Sequence, residues 1–281
     1  MLITDAQVHI WRANSAARPW RAGEKSHREP PLEADELLRE MDAAGVARAV
    51  LVPPFLDGER NDLVLEAARS HPERFAAMGR LDLEDPASRE RIATWREQPG
   101  MRGFRYSFHR PAIAALLAEE RVDWLWDESQ KAGVPIMVHV EHGVLQHVDR
   151  VAARYPRLKL ILCHMSLPMR KKDDEAFRDL DKLLGLAKRP NIGVKVSALP
   201  CYTDEPYPYR TLHAHVRRVY DVFGPKRMFW GSDLSRLPPS ATYRETVTMF
   251  TEEMAWLSAD DLEWIMGRGL SEWLDWKPAA S

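Results

Sequence analysis

Histidine and aspartate side chains occur at the ends of short apolar segments that are typical of β-strands. The clearest are His9, His139, His164 and Asp233, each of which closes a separate segment. Imidazole and carboxylate groups can transfer protons, bind metals and stabilise developing charge. In a parallel barrel the strand ends converge on one small volume, so these four residues are predicted to share an active site.

Further polar residues accompany these four at the predicted strand ends. Strict alternation along the first segment predicts that Asp5, Gln7 and His9 point the same way. The same alternation predicts that Cys163 points away from His164, toward a helix layer, which argues against a Cys/His catalytic pair. The other strand-end candidates are Arg80, Arg105, Ser107, His109, Glu141, His142, Lys195 and Ser197.

The order of the apolar segments predicts the fold. Near-continuous β-branched and apolar runs are typical of parallel strands that are covered on both faces. Longer amphipathic segments separate them, and several end at glycine or before proline. The predicted strands are 2–10, 49–53, 75–81, 101–108, 135–140, 158–164, 191–198 and 227–233. The predicted helices are 32–44, 61–70, 122–132, 144–155, 174–187, 209–223, 243–256 and 259–276.

Eight repeats of strand and helix in 281 residues predict an α/β fold, a (β/α)8 TIM barrel, as a single domain over residues 1–281. A doubly wound open sheet is the alternative. That fold would place a nucleotide at a glycine-rich loop, and the chain has no GxGxxG motif or P-loop.

Composition excludes several classes of function. The chain is 45% hydrophobic and 29% charged, with a formal net charge of −2. It therefore lacks the basic balance that nucleic acid or an acidic membrane would need. No apolar run approaches the roughly 18 residues of a transmembrane helix, and the first residues lack a signal-peptide pattern. With only Cys163 and Cys201 there is no disulfide framework, so we expect a cytoplasmic protein with a small-molecule substrate.

The strand-end motifs, in their order, resemble the amidohydrolase superfamily, and within it the amidohydrolase-2 branch. That branch includes metal-dependent hydrolases and sugar- and pyrone-lactonase-like barrels. The resemblance spans almost the whole chain, and it implies a barrel that hydrolyses lactones, amides or esters, or that decarboxylates aromatic and enol acids. It rests on TDAQVHIW, MGRLDL, GFRYSF, PIMVHV, LILCHM, GVKVSAL, WGSD and IMGRGLSEWLDW.

The resemblance also implies one divalent metal, Zn or Mn, bound by an HxH pair on the first strand, a histidine on the fifth and an aspartate on the eighth. In this chain the corresponding residues are Gln7, His9, His139 and Asp233. Gln7 departs from the pattern, because a neutral amide oxygen is a weaker zinc ligand than imidazole. The branch's lactonase-like members look able to work without metal, so a metal-containing and a metal-free site both stay open.

The catalytic roles follow from this resemblance and from the chemistry of the side chains. Asp233 is expected to act as general base toward the attacking water, with or without a metal; the alternative is that it caps a following turn. His164 is expected to hydrogen-bond the scissile carbonyl or the developing oxyanion. His9 and His139 would do the same in a metal-free site and would be ligands in a metal site.

Cationic residues suggest the kind of substrate. Arg105 is expected to bind a substrate carboxylate through two hydrogen bonds, and a salt bridge inside the barrel is the alternative. Arg80 and Lys195 are further candidates for substrate binding, and Trp11 could supply an apolar wall. Together they predict an anionic substrate.

The leading hypothesis is a hydrolase of a carboxylate-bearing lactone. The alternatives are a metal-dependent decarboxylase of an aromatic or enol acid and a non-catalytic barrel that binds a ligand. The apolar C-terminal segment packs either on the barrel or on a neighbouring subunit, which leaves a homo-oligomer open.

The segment 11–31 is the longest loop, and it follows the first strand. Loops after barrel strands carry function, so it is either a lid or a solvated excursion. Its arginines, which could form a gate for anions, are Arg12, Arg18, Arg21 and Arg28.

Overall fold

Eight parallel β-strands form a barrel with helices around it, as predicted. The computed structural model describes residues 1–277. Each strand pairs with the next along the chain, and the Asp233 amide, just past the last strand, donates to the Gln7 carbonyl at 3.1 Å. The strands are β1 (Thr4–Val8), β2 (Arg48–Leu51), β3 (Phe75–Gly79), β4 (Met101–Ser107), β5 (Ile136–His139), β6 (Leu160–Leu162), β7 (Ile192–Ser197) and β8 (Met228–Gly231).

The helices begin and end at local sequence signals. Gly45 ends the first helix in the left-handed region, with φ 74°, and a reciprocal capping box between Thr242 and Glu245 begins the ninth. None of the helices within residues 1–277 is long and apolar enough to cross a membrane. The helices are α1 (Ala34–Ala44), α2 (Asp62–Ser70), α3 (Pro111–Ala118), α4 (Asp123–Ala132), α5 (Leu145–Arg154), α6 (Asp173–Phe177), α7 (Leu180–Leu184), α8 (Arg210–Phe223), α9 (Tyr243–Thr248), α10 (Ala259–Glu263) and α11 (Gly269–Leu274).

The predicted elements are present, but four stretches differ from the prediction. The predicted helix 243–256 is shortened to α9, which continues as a wide turn at Met249–Glu253. Helix α3 was not predicted, and the predicted helix 174–187 is divided into α6, α7 and a 3-10 turn. The predicted helix 259–276 is interrupted by a wide turn between α10 and α11. The interruption includes Gly267, whose backbone lies so close to the Leu2 carbonyl that a Cβ atom would collide with it.

The interior of the barrel is a compact apolar layer separate from the larger layer between strands and helices. It includes Val50, Met137, Ile161 and Phe229. Cys163 belongs to this interior layer and not to the helix layer, so the prediction from alternation was wrong. Strand β6 ends at Leu162, and the next turn has left-handed backbone at His164 (φ 51°), which breaks the alternation between neighbouring residues.

The C-terminal segment packs on this chain's own barrel. Leu270, Leu274 and Trp276 are buried in the interior layer. The guanidinium of Arg48, at the start of β2, lies 4.5 Å from the Trp276 ring centroid. The segment therefore covers the amino-terminal end of the barrel and leaves the carboxyl end for the site.

Asp5 does not point toward Gln7 and His9, which corrects the expectation from alternation. The pairing of β1 with β2 shifts register between Asp5 and Val8, so β1 holds one extra residue there and the alternation of side chains is broken. The Asp5 carboxylate instead accepts hydrogen bonds from the Tyr243 hydroxyl at 2.8 Å and the Ser232 amide at 2.9 Å. Asp5 therefore ties β1 to β8 and α9.

Burial raises the pKa of Asp5 to about 6, although its hydrogen bonds act in the opposite direction. Because the folded-state pKa is raised, the stability linked to this group is present at low pH. It is lost as the pH rises from about 4 to about 6.

We therefore expect the free energy of unfolding of the native protein, relative to an Asp5→Asn variant, to fall by about 2.5 kcal/mol between pH 4 and pH 7. Urea unfolding of both proteins at constant ionic strength measures this difference. A difference that stays constant over that range would show that Asp5 keeps one protonation state in the folded protein.

Candidate active site

Polar side chains from six strands meet at the carboxyl end of the barrel. None of them is more than 6% exposed, so each must find its hydrogen-bond partners inside the protein. All four residues that the sequence placed in a shared site belong to this cluster. The members are Gln7, His9, Arg105, Ser107, His139, His164, Lys195, Ser197 and Asp233.

The side-chain amide of Gln7 lies at the centre of the cluster. Its Nε2 atom is 3.3 Å from His9 Nε2, from His164 Nε2 and from Asp233 Oδ1. Its Oε1 atom accepts a hydrogen bond from Lys195 Nζ. The amide therefore donates to the cluster on one side and accepts from Lys195 on the other.

The tautomers of His9 and His164 follow from their partners. His9 Nδ1 lies 2.7 Å from the Val52 carbonyl oxygen, which can only accept, so His9 Nδ1 carries a proton. His164 Nδ1 lies 2.9 Å from Ser197 Oγ, and burial lowers the pKa of His164 well below its usual value. With Gln7 donating to both rings, each Nε2 acts as an acceptor.

His139 has the opposite arrangement. Its Nδ1 atom lies 3.1 Å from Arg105 Nη2, and because a guanidinium can only donate, Nδ1 is the acceptor. Burial, and then the charge of Arg105, lower the pKa of His139 well below its usual value. The neutral ring therefore carries its proton on Nε2, which has no hydrogen-bond partner among the described residues.

Asp233 is the one carboxylate of this cluster. Burial by itself would raise its pKa, but its contact with His9 and the positive charge of Arg236 hold that pKa well below the usual value. His9 Nε2 is 3.3 Å from Oδ1, and Arg236 Nη1 donates to Oδ2 at 3.4 Å. Asp233 precedes a 3-10 turn, but its side chain makes no capping hydrogen bond. Its carboxylate faces the cluster instead.

Left-handed backbone positions two of these side chains. His164 has φ 51° and Asp233 has φ 53°, and each is the second residue past the end of a strand. Such a conformation is rare outside glycine and is retained where the surrounding structure enforces it, often at functional sites. Here it turns the chain sharply while the side chain stays over the barrel mouth.

A small cavity of about 90 Å³ opens above the cluster. His9, His139, His164, Asp233 and Arg105 form its floor and wall. Its rim includes Trp11, Glu24, His27, Phe55, His109 and Arg236.

A second cavity adjoins the first and shares Phe55, Arg105 and Arg110 with it. Arg80 lines the second cavity and is 5% exposed. Its guanidinium donates to the Pro53 carbonyl, and its Nε atom has no partner among the described residues. Burial, and then the neighbouring charge of Arg105, lower the pKa of Arg80 to about 9.

Two residues predicted to bind substrate occupy different kinds of position. Trp11 is 1% exposed and lines the cavity over the cluster. Lys195 is fully buried beneath Gln7, with its Nζ 3.5 Å from Met137 Sδ, and it lines neither cavity. Lys195 therefore contacts the cluster and not the space above it.

Glu141 and His142, also strand-end candidates, hold a neighbouring loop. Glu141 Oε1 accepts from the Met169 amide at 3.0 Å, and His142 Nε2 lies 3.0 Å from the Met165 carbonyl. Both therefore support the loop after β6.

The loop 11–31 covers part of the cavity with paired charges. Glu24 binds Arg110 through two hydrogen bonds of 2.7 and 3.0 Å. Arg12, Arg18, Arg21 and Arg28 each form an ion pair with a carboxylate. These four arginines hold the loop in place, so they are not the free cations that an anion gate requires.

Sequence reasoning missed Arg236 and His27. Arg236 follows Asp233 by three residues in a 3-10 turn, a spacing that a strand pattern does not reveal. His27 lies on an irregular loop and reaches Ser235 Oγ at 3.2 Å across 208 residues of sequence. No local periodicity marks either residue.

The cluster does not fit a divalent metal as it stands. The Gln7 amide donates to His9 and Asp233, which are two of the side chains that a metal would need. Its oxygen, the atom that could bind a metal, accepts from Lys195. Within residues 1–277, no three His, Cys, Asp or Glu side chains are placed to hold one metal ion.

The fold and the site define a class: a barrel enzyme whose buried carboxylate and imidazoles meet at the carboxyl ends of the strands. The family model described as Amidohydrolase matches residues 4–268. The chain belongs to the amidohydrolase family and is an enzyme of the hydrolase type.

Known proteins resemble the chain over most of its length. The L-fucono-1,5-lactonase of Burkholderia ambifaria is 28% identical over 255 residues, which are 83% of this chain and 81% of that protein. A Burkholderia multivorans amidohydrolase crystallised with bound zinc has a TM-score of 0.82 at 24% identity, covering 98% of this chain and 99% of that one. A probable 2-pyrone-4,6-dicarboxylic acid hydrolase from Acinetobacter baumannii, with citric acid bound, has a TM-score of 0.76 at 15% identity, covering 98% and 100%.

The contact between Arg105 and His139 gives a prediction about protonation. Nitrogen-15 NMR of the histidine rings should show His139 protonated on Nε2 and His9 protonated on Nδ1. In an Arg105→Met variant the preference of His139 for Nε2 should disappear, because its Nδ1 loses the donor. Arg80→Met serves as the control and should leave the His139 signals unchanged. A His139 ring protonated on Nδ1 in the native protein would contradict the assignment.

Proposed function

We propose that this chain hydrolyses a lactone, with Asp233 as the base that activates water. One observation carries the proposal: an ionised, buried carboxylate borders the same cavity as an imidazole N–H that has no partner in the described part of the chain. Hydrolysis of a cyclic ester needs both a proton acceptor for water and a hydrogen-bond donor for the carbonyl oxygen. The curated relatives named L-fucono-1,5-lactonase support the same reaction.

The first step is attack on the ester. The lactone carbonyl oxygen accepts a hydrogen bond from the His139 Nε2–H, and a water molecule lies against Asp233. As the water oxygen bonds to the carbonyl carbon, Asp233 takes one of its protons and His139 stabilises the developing oxyanion. Arg105 supports this step because it holds His139 in the required tautomer.

The second step opens the ring. The tetrahedral intermediate re-forms its carbonyl, and the bond from carbon to the ring oxygen breaks. The ring oxygen takes the proton held by Asp233, which restores the carboxylate. The product is an open-chain hydroxy acid, so one water is consumed and the enzyme is unchanged.

In this mechanism His139, and not His164, supplies the hydrogen bond to the carbonyl. His164 Nε2 faces the Gln7 amide nitrogen at 3.3 Å, so it is occupied as an acceptor. His164 then has a supporting role, since it helps to hold the Gln7 amide next to Asp233. We keep His9 in the same supporting role, because its Nε2 also faces that amide.

An anionic substrate is favoured by the two buried arginines. Neither Arg80 nor Arg105 hydrogen-bonds a carboxylate within residues 1–277, and both line the cavity beside the cluster. A buried guanidinium without a carboxylate partner is costly until an anion binds it. A carboxylate on the substrate would fill that need at Arg80, while Trp11 contacts the apolar part of the ring.

A metal-dependent decarboxylase, the alternative considered from the sequence, would need the ion to hold its substrate. The Gln7 amide donates hydrogen bonds to the side chains that would bind that ion. No observation in the site therefore favours this reaction. A non-catalytic barrel is the other alternative, and the following experiment separates it from the hydrolase.

Asp233→Asn should lower kcat for lactone hydrolysis by about 10²- to 10⁴-fold, since an amide cannot accept the proton of water. Rates are measured with L-fucono-1,5-lactone and with 2-pyrone-4,6-dicarboxylate. Asp174→Asn, at an exposed position of α6, is the matched control and should keep the native rate. An unchanged rate in Asp233→Asn would remove Asp233 from the mechanism. Native protein that binds both compounds without turning either over would favour the ligand-binding barrel.

Arg80→Met should discriminate between charged and neutral substrates. We expect KM for the dicarboxylate to rise by about tenfold or more, which corresponds to the loss of one charge-assisted hydrogen bond. KM for the uncharged sugar lactone should change by less than about twofold. Arg102→Met, on β4 toward the other end of the barrel, is the control. Equal changes for the two substrates would argue against an anion at Arg80.

A further inference from the structure

The Gln7 amide is constrained from both sides, and the two constraints agree. On the cluster side it meets Asp233 Oδ1 and His9 Nε2, both of which are acceptors. On the other side it meets Lys195 Nζ, a donor. Only one orientation, with the NH2 group toward the cluster and the oxygen toward Lys195, satisfies every contact.

Rotation of this amide would leave buried groups unsatisfied. With its oxygen toward the cluster, Gln7 would present that oxygen to the Asp233 carboxylate and its NH2 group to Lys195. All of these groups are at most 1% exposed, so water cannot take over the lost hydrogen bonds. The orientation that a metal would require from Gln7 is therefore the unfavourable one.

We propose that Gln7, held by Lys195, takes the place of a divalent cation in this site. Its two amide N–H groups are shared among the acceptor atoms that an ion would otherwise bind, and they keep His9, His164 and Asp233 together. The Lys195 side chain supplies the donor beneath them, and its Nζ atom also lies 3.5 Å from Met137 Sδ. The Asp233 carboxylate is then held in position by protein hydrogen bonds and not by a metal.

This inference assigns Lys195 as a positioning residue that acts through Gln7. It differs from the substrate-binding role expected from the sequence, because Lys195 lies under the amide and away from both cavities. Its effect on turnover rests on the proposed lactone hydrolysis. Its effect on metal binding does not depend on any substrate.

Cobalt(II) titration, followed by visible absorption and by metal analysis after dialysis, tests the inference directly. The native protein should bind less than about 0.1 equivalent at micromolar Co²⁺, and zinc should behave in the same way. One equivalent of tightly bound Co²⁺ or Zn²⁺ in the native protein would overturn the inference. This measurement needs no variant and no substrate.

Two substitutions together should create the missing metal site. Gln7→His supplies an imidazole ligand, and Lys195→Met removes the donor beneath it with a side chain suited to the apolar interior. The double variant should gain about one equivalent of Co²⁺, with the visible spectrum of a low-coordinate ion. Lys159→Met in the Gln7→His background is the matched control, because Lys159 lies just before β6 at the far end of the barrel. A folded double variant that takes up no more Co²⁺ than the native protein would also overturn the inference.

Kinetics complete the test. In the native protein, dialysis against a chelator should leave kcat unchanged. Lys195→Met alone should lower kcat by about tenfold or more with little change in KM, because it loosens the Gln7 amide and leaves the substrate cavity intact.

A native enzyme that loses its activity on chelation and recovers it with zinc would overturn the inference while leaving lactone hydrolysis established. Absence of lactonase activity with absence of metal binding would contradict the proposed function alone.

Discussion

Most of the site depends on one constraint: polar groups buried at the mouth of the barrel must satisfy one another. The Gln7 amide nitrogen lies 3.3 Å from three acceptor atoms, which share its two N–H groups, and Lys195 donates to the amide oxygen. An unsatisfied buried polar group costs more than an ordinary hydrogen bond contributes, so the network specifies side-chain orientation closely. The positions of His9, His164 and Asp233 follow from this arrangement.

The same constraint divides the histidines into two kinds. His9 and His164 use Nδ1 to bind the scaffold and Nε2 to face the amide. His139 accepts from Arg105, and its N–H beside the cavity has no partner within residues 1–277. Three imidazoles in one small volume thus differ in their chemistry because their neighbours differ. The asymmetry places an acceptor, Asp233, and a donor, His139, at the wall of the same cavity.

Local patterns in the sequence were sufficient for the fold because each strand and helix has its own signal. Near-continuous apolar runs identified all eight strands, and Gly45 and Gly133 ended helices where expected. Predictions from alternation were wrong where backbone geometry departs from an ideal strand. The register shift in β1 turned Asp5 toward Tyr243, and the left-handed turn at His164 left Cys163 inside the barrel.

The sequence by itself determined the class of fold, the strand ends that form the site and the departure at Gln7 from an imidazole pair. These are local properties, carried by residue type and spacing along one segment. Only the tertiary structure decided that Lys195 lies beneath Gln7, 188 residues away in the chain, and that Arg105 determines the tautomer of His139. Hydrogen bonds between side chains of different strands form only when the barrel brings those strands together. No pattern within a single segment contains that information.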